Sequence, residues 1–409
     1  MILPTNAQLI YGKTKQSPVE MAFTVADVAR RQARLLERVK LAPEINVKDY
    51  RFVALVDFIK FRVAFSRMTN AQSVQMQLRK FLDRDSHIEP IEFGAGSAAM
   101  IFDITIQEPK SFAYVSKIYD ALKKKFGERT DPLIAKVEFS IDAYPRVPSD
   151  QARTKLFGVM QRTILPKFDF LSEASDRPRS SIGKPTGGRI DKNNRKLLPF
   201  GQPDEIGLHF WHRHEDHHAP WVDGTLYIGA KEADVMIRLQ DKELDQQNMS
   251  AGTCVELTES QKRVRIEVTL QGNALLDNNI FELADLRRFS FAKLQGSFFQ
   301  FMLPTFPVHT IIDGSSLEAV RRYLDGCRAK GFLKSGMLGL EVMDAQRNIS
   351  TYQIRKSMKH AVGGRRATKK KPRSGTGCNR DYVAYHEMNR CVATALRHLE
   401  QREANAWRR

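Results

Sequence analysis

A chain of 409 residues with 42% hydrophobic content is long enough for about two or three domains, and its formal charge of +18 is strongly basic. A balance of that size points to a polyanion as partner, nucleic acid ahead of an anionic membrane. The first residues, MILPTNAQLIYGKTKQ, hold no apolar block of signal-peptide length, and no apolar run approaches a membrane span. The expectation is a cytoplasmic protein with no membrane partner. Cys254, Cys327, Cys378 and Cys391 form no C-x-x-C pair, which argues against structural zinc and a disulfide framework.

Taken in chain order, EMAFTVADVARRQARLLERVK (20–40) reads as a basic amphipathic helix, so the segment 1–45 is expected to be helical. A strand follows at 51–65, a helix at 70–83 and a strand at 97–106. A helix is expected to start near Ser111 and stop at Gly127, a strand covers 132–144, and another helix opens at Ser149. The stretch 172–204 is rich in Gly, Pro, Ser and basic residues and reads as a long loop or insertion. Strands resume at EIGLHFWH, TLYIGA, DVMIRLQD and RVRIEVTL, and a helical C-terminal region follows from about 281. The dense apolar run around Phe299 and Phe301 is expected in the core. Two short helical stretches around glycine in 311–350 fit a helix-turn-helix, a pattern of low specificity. The expected fold class is α+β, mainly antiparallel sheet with helices on one face. Its core would span 46–310, followed by a helical C-terminal region at 311–409.

Three strands carry more charge than a half-buried sheet needs. In PLIAKVEFSIDAY, Val137, Phe139 and Ile141 alternate with Lys136, Glu138, Ser140 and Asp142. In RVRIEVTL, Val264, Ile266, Val268 and Leu270 alternate with Arg263, Arg265, Glu267 and Thr269. In DVMIRLQDK, Val235, Ile237 and Leu239 alternate with Met236, Arg238, Gln240 and Lys242. Period-2 alternation places each set on one face. Glu138, Asp142 and Glu267 could then form a hard-oxygen site for Mg2+ or Mn2+, or remain solvated charges paired with Lys136 and Arg265. Asp57 falls in the apolar row Val53, Leu55, Ile59, Phe61, Val63. A carboxylate there must be paired, bound to metal or protonated, unless the strand breaks register.

Residues 353–375 hold nine Lys or Arg and no acid. Arg365, Arg366, Lys369, Lys370, Lys371 and Arg373 lead the expectation of a phosphate-binding arm, against a solvated linker as the plain alternative. Five of the ten histidines lie in HFWHRHEDHH: His209, His212, His214, His217 and His218. They could ligate a metal or form an exposed polar cluster; Arg213 between His212 and His214 breaks the His-hydrophobe-His pattern of one nicking-enzyme superfamily.

Together these segments resemble the replication initiation factor family, which comprises trans-acting Rep proteins of rolling-circle plasmids, filamentous-phage initiators and related relaxases of integrative elements. AKVEFSID resembles its T-R-[IV]-D-hydrophobic-x-hydrophobic-D strand, with Lys136, Glu138 and Asp142 at the polar positions. TLYIGAKEADVMIRLQDK is similar to the family's T-x-Y-[IL]-G-S-[RK]-x-S-x-x-x-x-R-[VIF]-Y-[DN]-K unit, matching at Thr225, Tyr227, Gly229, Lys231, Arg238, Asp241 and Lys242. VRIEV, with Glu267, resembles the closing strand, and VDFIKF around Asp57 the first one. The resemblance covers about 50–290. It implies a metal-dependent endonuclease and strand transferase acting on double-stranded origin DNA and single-stranded DNA, with Mg2+ or Mn2+ as cofactor. The metal would be held by Asp57, Glu138, Asp142 and Glu267, with Arg238 and Lys242 at the phosphate. A host helicase and a homodimer are left open as partners. One departure stands out: the family's nucleophilic tyrosine position is Gln240, which cannot form a phosphodiester. Tyr144 is the best substitute and Tyr227 the next. Otherwise the chain binds origin or operator DNA without cutting and recruits replication proteins. A general RNA-binding protein is a third reading, without an RNP or KH signature in its favour.

Overall fold

A computed structural model describes residues 6–9, 19–28, 35–91, 98–170, 178–182, 185–186, 189–190, 193–196, 225–248, 253–308, 319, 322–342 and 382–408. Nine strands make the main sheet. In spatial order they are β11 (Asn193–Lys196), β8 (Arg179–Ile182), β12 (Thr225–Ile228), β13 (Val235–Lys242), β16 (Arg263–Gln271), β7 (Thr130–Pro145), β4 (Tyr50–Thr69), β6 (Ala99–Gln107) and β5 (His87–Pro90). Every neighbouring pair is antiparallel. Two short ladders stand apart: β9 (Pro185–Thr186) with β10 (Arg189–Ile190), and β14 (Leu244–Asn248) with β15 (Thr253–Glu256). The α+β class and the antiparallel pattern agree with the sequence reading.

Helices cover one face of the main sheet. They are α1 (Ala71–Leu78), α2 (Phe112–Phe126), α3 (Asp150–Thr163), α4 (Asn273–Asp277), α5 (Ala292–Ser297) and α7 (His386–Ala406), while α6 (322–342) packs against α3. Local chemistry sets the ends of the first three. Asn70 accepts from the Ser73 amide at 2.8 Å, Ser111 from Tyr114 at 3.1 Å, and Ser149 from Ala152 at 3.2 Å. α2 stops where Gly127 takes a φ of +76°. Beneath the helices lie Val56, Val137, Phe139, Ile141, Ile237, Leu239, Ile266 and Val268, all buried. Phe139 meets Phe289 at 5.2 Å and Phe291 at 5.8 Å, and Phe291 stacks on Phe112 of α2 at 6.0 Å.

The expected helix over 20–40 is not formed by its described residues. β2 (Val19–Asp27) and β3 (Arg38–Pro43) are strands of a second, five-stranded sheet, β1-β2-β3-β17-β18, whose other members are β1 (Asn6–Leu9), β17 (Met302–Pro307) and β18 (Tyr382–Ala384). Met21 and Phe23 alternate inward, and Phe23 meets Phe332 of α6 edge-on at 5.4 Å. Burial of that alternating pair outweighs the helical propensity of the charged residues around it. This sheet also joins strands from all three expected segments, 1–45, 46–310 and 311–409. The region after 281 is correspondingly less helical than expected, since β17 runs through it. Within the expected loop 172–204, β8 and β11 extend the main sheet beyond β12. The last helix begins at His386, with Tyr382–Ala384 extended before it. Phe299 and Phe301 are fully buried, as the apolar run implies.

The helix-turn-helix expectation is not met by the described residues of 311–350: α6 runs unbroken through Gly326, Gly331 and Gly336, where the turn between two short helices is expected, and buries Phe332, Met337, Leu338 and Leu340 in the core. Gly336 lets α6 approach α3. Its φ is +69°, and an added Cβ would stand 2.6 Å from the Arg162 Cα. Arg162 is buried there, donating from Nε to the Leu333 carbonyl at 2.8 Å. Gly336→Ala should therefore lower stability by about 1–3 kcal/mol from backbone strain alone, and urea midpoints of the two proteins measure it.

Candidate functional site

With helices on the Phe139 side, the alternate residues of each strand form the opposite face. Register aligns them across strands. Tyr227 of β12 is opposite Arg238 of β13, Arg238 opposite Glu267 of β16, and Glu267 opposite Ser140 of β7. One step along, Gln240, Arg265 and Asp142 share a row. In the other direction Thr269 is opposite Glu138. The period-2 reading of these three strands therefore holds.

Asp57 joins this face through a bulge. Val56 pairs with Phe139 and Phe58 with Glu138, so Asp57 is the extra residue of β4. Val53 and Leu55 lie on the open side before it, while Ile59, Phe61 and Val63 lie in the core after it. The apolar row that contains Asp57 in the sequence is therefore two rows of opposite facing. The Asp57 carbonyl accepts from the Glu108 amide at 2.6 Å, which pins the bulge.

Asp57, Glu138 and Glu267 each bring an oxygen within 4.8 Å of the others. Three carboxylates from three strands at that separation repel one another unless cations or protons intervene. Two guanidiniums do so. Arg238 donates from Nε to Glu267 Oε2, and its Nη2 lies 3.6 Å from Glu138 Oε1. Arg265 donates from Nη1 to Asp57 Oδ1 at 2.6 Å, with Glu267 Oε1 at 3.4 Å. Its Nη2 donates to Asp142 Oδ2 at 2.7 Å, and its Nε to Asp142 Oδ1. Thr269 Oγ1 donates to Glu138 Oε2, and Gln240 Nε2 to Glu267 Oε1 at 3.4 Å.

Burial, then the charge of Glu267, pushes the Glu138 carboxyl up to about 8, against the pull of Arg238. Desolvation alone would lower the pKa of Arg238 and Arg265, but their carboxylate partners more than offset it and raise both. A group whose folded pKa is raised stabilises the fold fully below its unfolded pKa, 4.5, and loses that contribution as pH rises through about 8. Wild-type stability should thus fall by up to a few kcal/mol across that window from Glu138 alone. Glu138→Gln should flatten the decline in urea midpoints measured from pH 5 to 9. An unchanged slope in the variant would locate the titration elsewhere.

Of the residues expected to ligate metal, Asp57, Glu138 and Glu267 are brought together and Asp142 is not. Its oxygens are taken by Arg265 and by Arg263, whose Nε lies 2.8 Å from Oδ2. Arg238 is at the centre. Lys242 stands four residues farther along β13, ion-paired with Asp245 at 3.3 Å. Tyr144 donates its hydroxyl to Asp142 Oδ2 at 3.2 Å, with Arg51 over its ring at 4.6 Å. Burial and Asp142 push the Tyr144 phenol up. Along β7 it lies six residues from Glu138, roughly 20 Å at strand rise. Tyr227 instead shares the row of Arg238 and Glu267, with Arg179 over its ring at 4.8 Å. The sequence reading gives Arg265 only as a counter-charge. Its bridging of Asp142 and Asp57 depends on the bulge, which no periodicity reveals. Arg365, Arg366, Lys369, Lys370, Lys371 and Arg373, and His209 to His218, lie outside the described residues.

Hard carboxylate oxygens suit Mg2+ or Mn2+, so the donor set fits a divalent ion. Arg238 and Arg265 already occupy part of that oxygen surface. Among the described residues no helix is long and apolar enough to cross a membrane. No protein-family model matches the chain, and no curated protein matches it. Among solved structures, a rolling circle replication initiator protein from Geobacillus stearothermophilus aligns at 12% identity and a TM-score of 0.29, covering 64% of this chain and 90% of that one.

Proposed function

We propose that the chain is an origin-binding replication initiator that nicks and religates one DNA strand by tyrosyl transesterification. The observation that carries this reading is the convergence of Asp57, Glu138 and Glu267, beside Arg238, on one face of a chain with charge +18. Buried like charges are costly, and perturbed carboxylates cluster where chemistry is done. Mg2+ or Mn2+ held by these three carboxylates would polarise the scissile phosphate. Arg238 offsets the charge that builds on the phosphate oxygens. Tyr227, in the Arg238 row, is the nucleophile best supported by the register; the Tyr144 hydroxyl is held by Asp142 and lies farther away. In the step, the Tyr227 oxygen bonds to phosphorus and the bond from phosphorus to the 3′ oxygen breaks. The phenol proton is balanced by the proton gained at the freed 3′ hydroxyl. Religation is the reverse, and the phosphotyrosine bond conserves the energy. The basic run 353–375 supplies phosphate contacts whose affinity falls with salt.

A second reading has its own support. Gln240 stands beside Glu267, where the resembled family carries its tyrosine, and favours a relative that binds origin DNA without cutting it. The purified chain, mixed with Mn2+ and supercoiled plasmid bearing its own gene and upstream DNA, separates the two. Open circles carrying a 5′-linked peptide support the initiator. Tight, salt-sensitive retention of uncut plasmid supports the binding protein.

A further inference from the structure

The two arginines of the carboxylate group are held very differently. Arg265 has its Nε and Nη2 on Asp142 and its Nη1 on Asp57, and its side chain is 2% exposed. No nitrogen is left to turn outward. Arg238 is 31% exposed, and its ion pairs are with Glu267 and Glu138, two members of the three-carboxylate group itself. A guanidinium in this state can exchange one oxyanion for another. Phosphate matches its fork as well as carboxylate does.

We infer that Arg238 is a displaceable cation, which a DNA phosphate draws off Glu267 so that divalent-ion binding becomes conditional on DNA. The inference rests on the metal reading given above. While Arg238 stays on Glu267 Oε2, the group is neutralised internally and offers a divalent ion little gain. Once Arg238 pairs with phosphate, Glu267 faces Asp57 and Glu138 within 4.8 Å with less compensating charge. The group then gains from a divalent ion. Arg265, clamped by Asp142, does not follow, so it keeps Asp57 in place during the exchange. DNA and metal therefore bind with positive coupling, and linkage requires each to tighten the other by the same factor. One consequence is that the free protein does not carry a loaded metal centre away from its DNA.

Manganese titrations of the full chain, read by the electron paramagnetic resonance of free Mn2+, test this with and without a single-stranded oligonucleotide. Glu267→Gln with the same oligonucleotide defines the manganese held by DNA alone. Wild type should bind Mn2+ weakly by itself and about tenfold more tightly with the oligonucleotide. Arg238→Gln should bind tightly without DNA and show no further gain. Equal wild-type affinity with and without the oligonucleotide, matched by Arg238→Gln, would overturn the displaceable cation while leaving the metal reading standing. No manganese beyond the Glu267→Gln background in any protein would remove the metal reading and this inference together. The wild-type comparison stands alone if the Arg238 variant fails to fold.

Discussion

Replacing Arg265 by leucine is expected to lower stability by about 3–5 kcal/mol, among the largest losses any single change in this sheet should produce. The reason is the company it keeps. Asp142 is 1% exposed and takes two hydrogen bonds from Arg265, while Asp57 at the bulge takes a third at 2.6 Å. Leucine fills much of the volume but leaves a carboxylate in the sheet with half its compensation gone. Arg263 remains on Asp142, so the loss is not the full cost of an isolated buried charge. Urea unfolding at pH 7 gives the comparison, provided the slope is unchanged. The double variant Arg265→Leu, Asp142→Leu should recover part of the loss, because an apolar pair replaces the broken ion pair while Asp57 and Arg263 each still lose a partner. A single-variant loss below about 1 kcal/mol would place the network among weak surface pairs and undo its role as the scaffold of the carboxylate group.

Glu267→Gln carries the second large effect, on chemistry rather than folding. Glutamine keeps the shape and a hydrogen-bond partner for Arg238 but removes the charge at the centre of the group. Nicking should fall by about 100-fold or more with circular dichroism near wild type, and the urea midpoint should drop by a smaller step than for Arg265→Leu, since the amide keeps one of the two oxygens that accept from Arg238, Arg265 and Gln240. Lys242→Gln should stay within about twofold of wild type, since Lys242 is paired with Asp245 four residues farther along the strand. If Lys242→Gln proved as damaging as Glu267→Gln, the working surface would lie at the other end of β13.

Much of this face is legible in the sequence because strands alternate. Glu138, Asp142, Glu267, Arg238 and Gln240 all project where period-2 reading puts them, and cross-strand register then decides which of them meet. Register is the part that alternation cannot supply. Asp142 and Glu138 share a face of β7, yet Asp142 pairs with Arg265 in one row and Glu138 with Thr269 in another. Asp57 is harder still, since a single extra residue at the bulge flips the rest of β4 and makes one apparent apolar row into two. The misread stretch 20–40 has a different cause. Its alternating Met21 and Phe23 are brief beside a long charged run of helix formers, and what makes them a strand is pairing with β3 and packing on Phe332, hundreds of residues away. The Ser111 and Ser149 caps were readable because capping is local.

Covalent capture tests strand transfer by Tyr227 directly. A single-stranded oligonucleotide from the upstream region, labelled on the 3′ side of the cut, is incubated with the chain and Mn2+ and run on a denaturing gel. Labelled protein should appear for wild type and Tyr144→Phe and vanish for Tyr227→Phe. Absence of labelled protein from wild type, with the oligonucleotide bound but intact, would contradict strand transfer and leave a DNA-binding protein that keeps the carboxylate face without its chemistry.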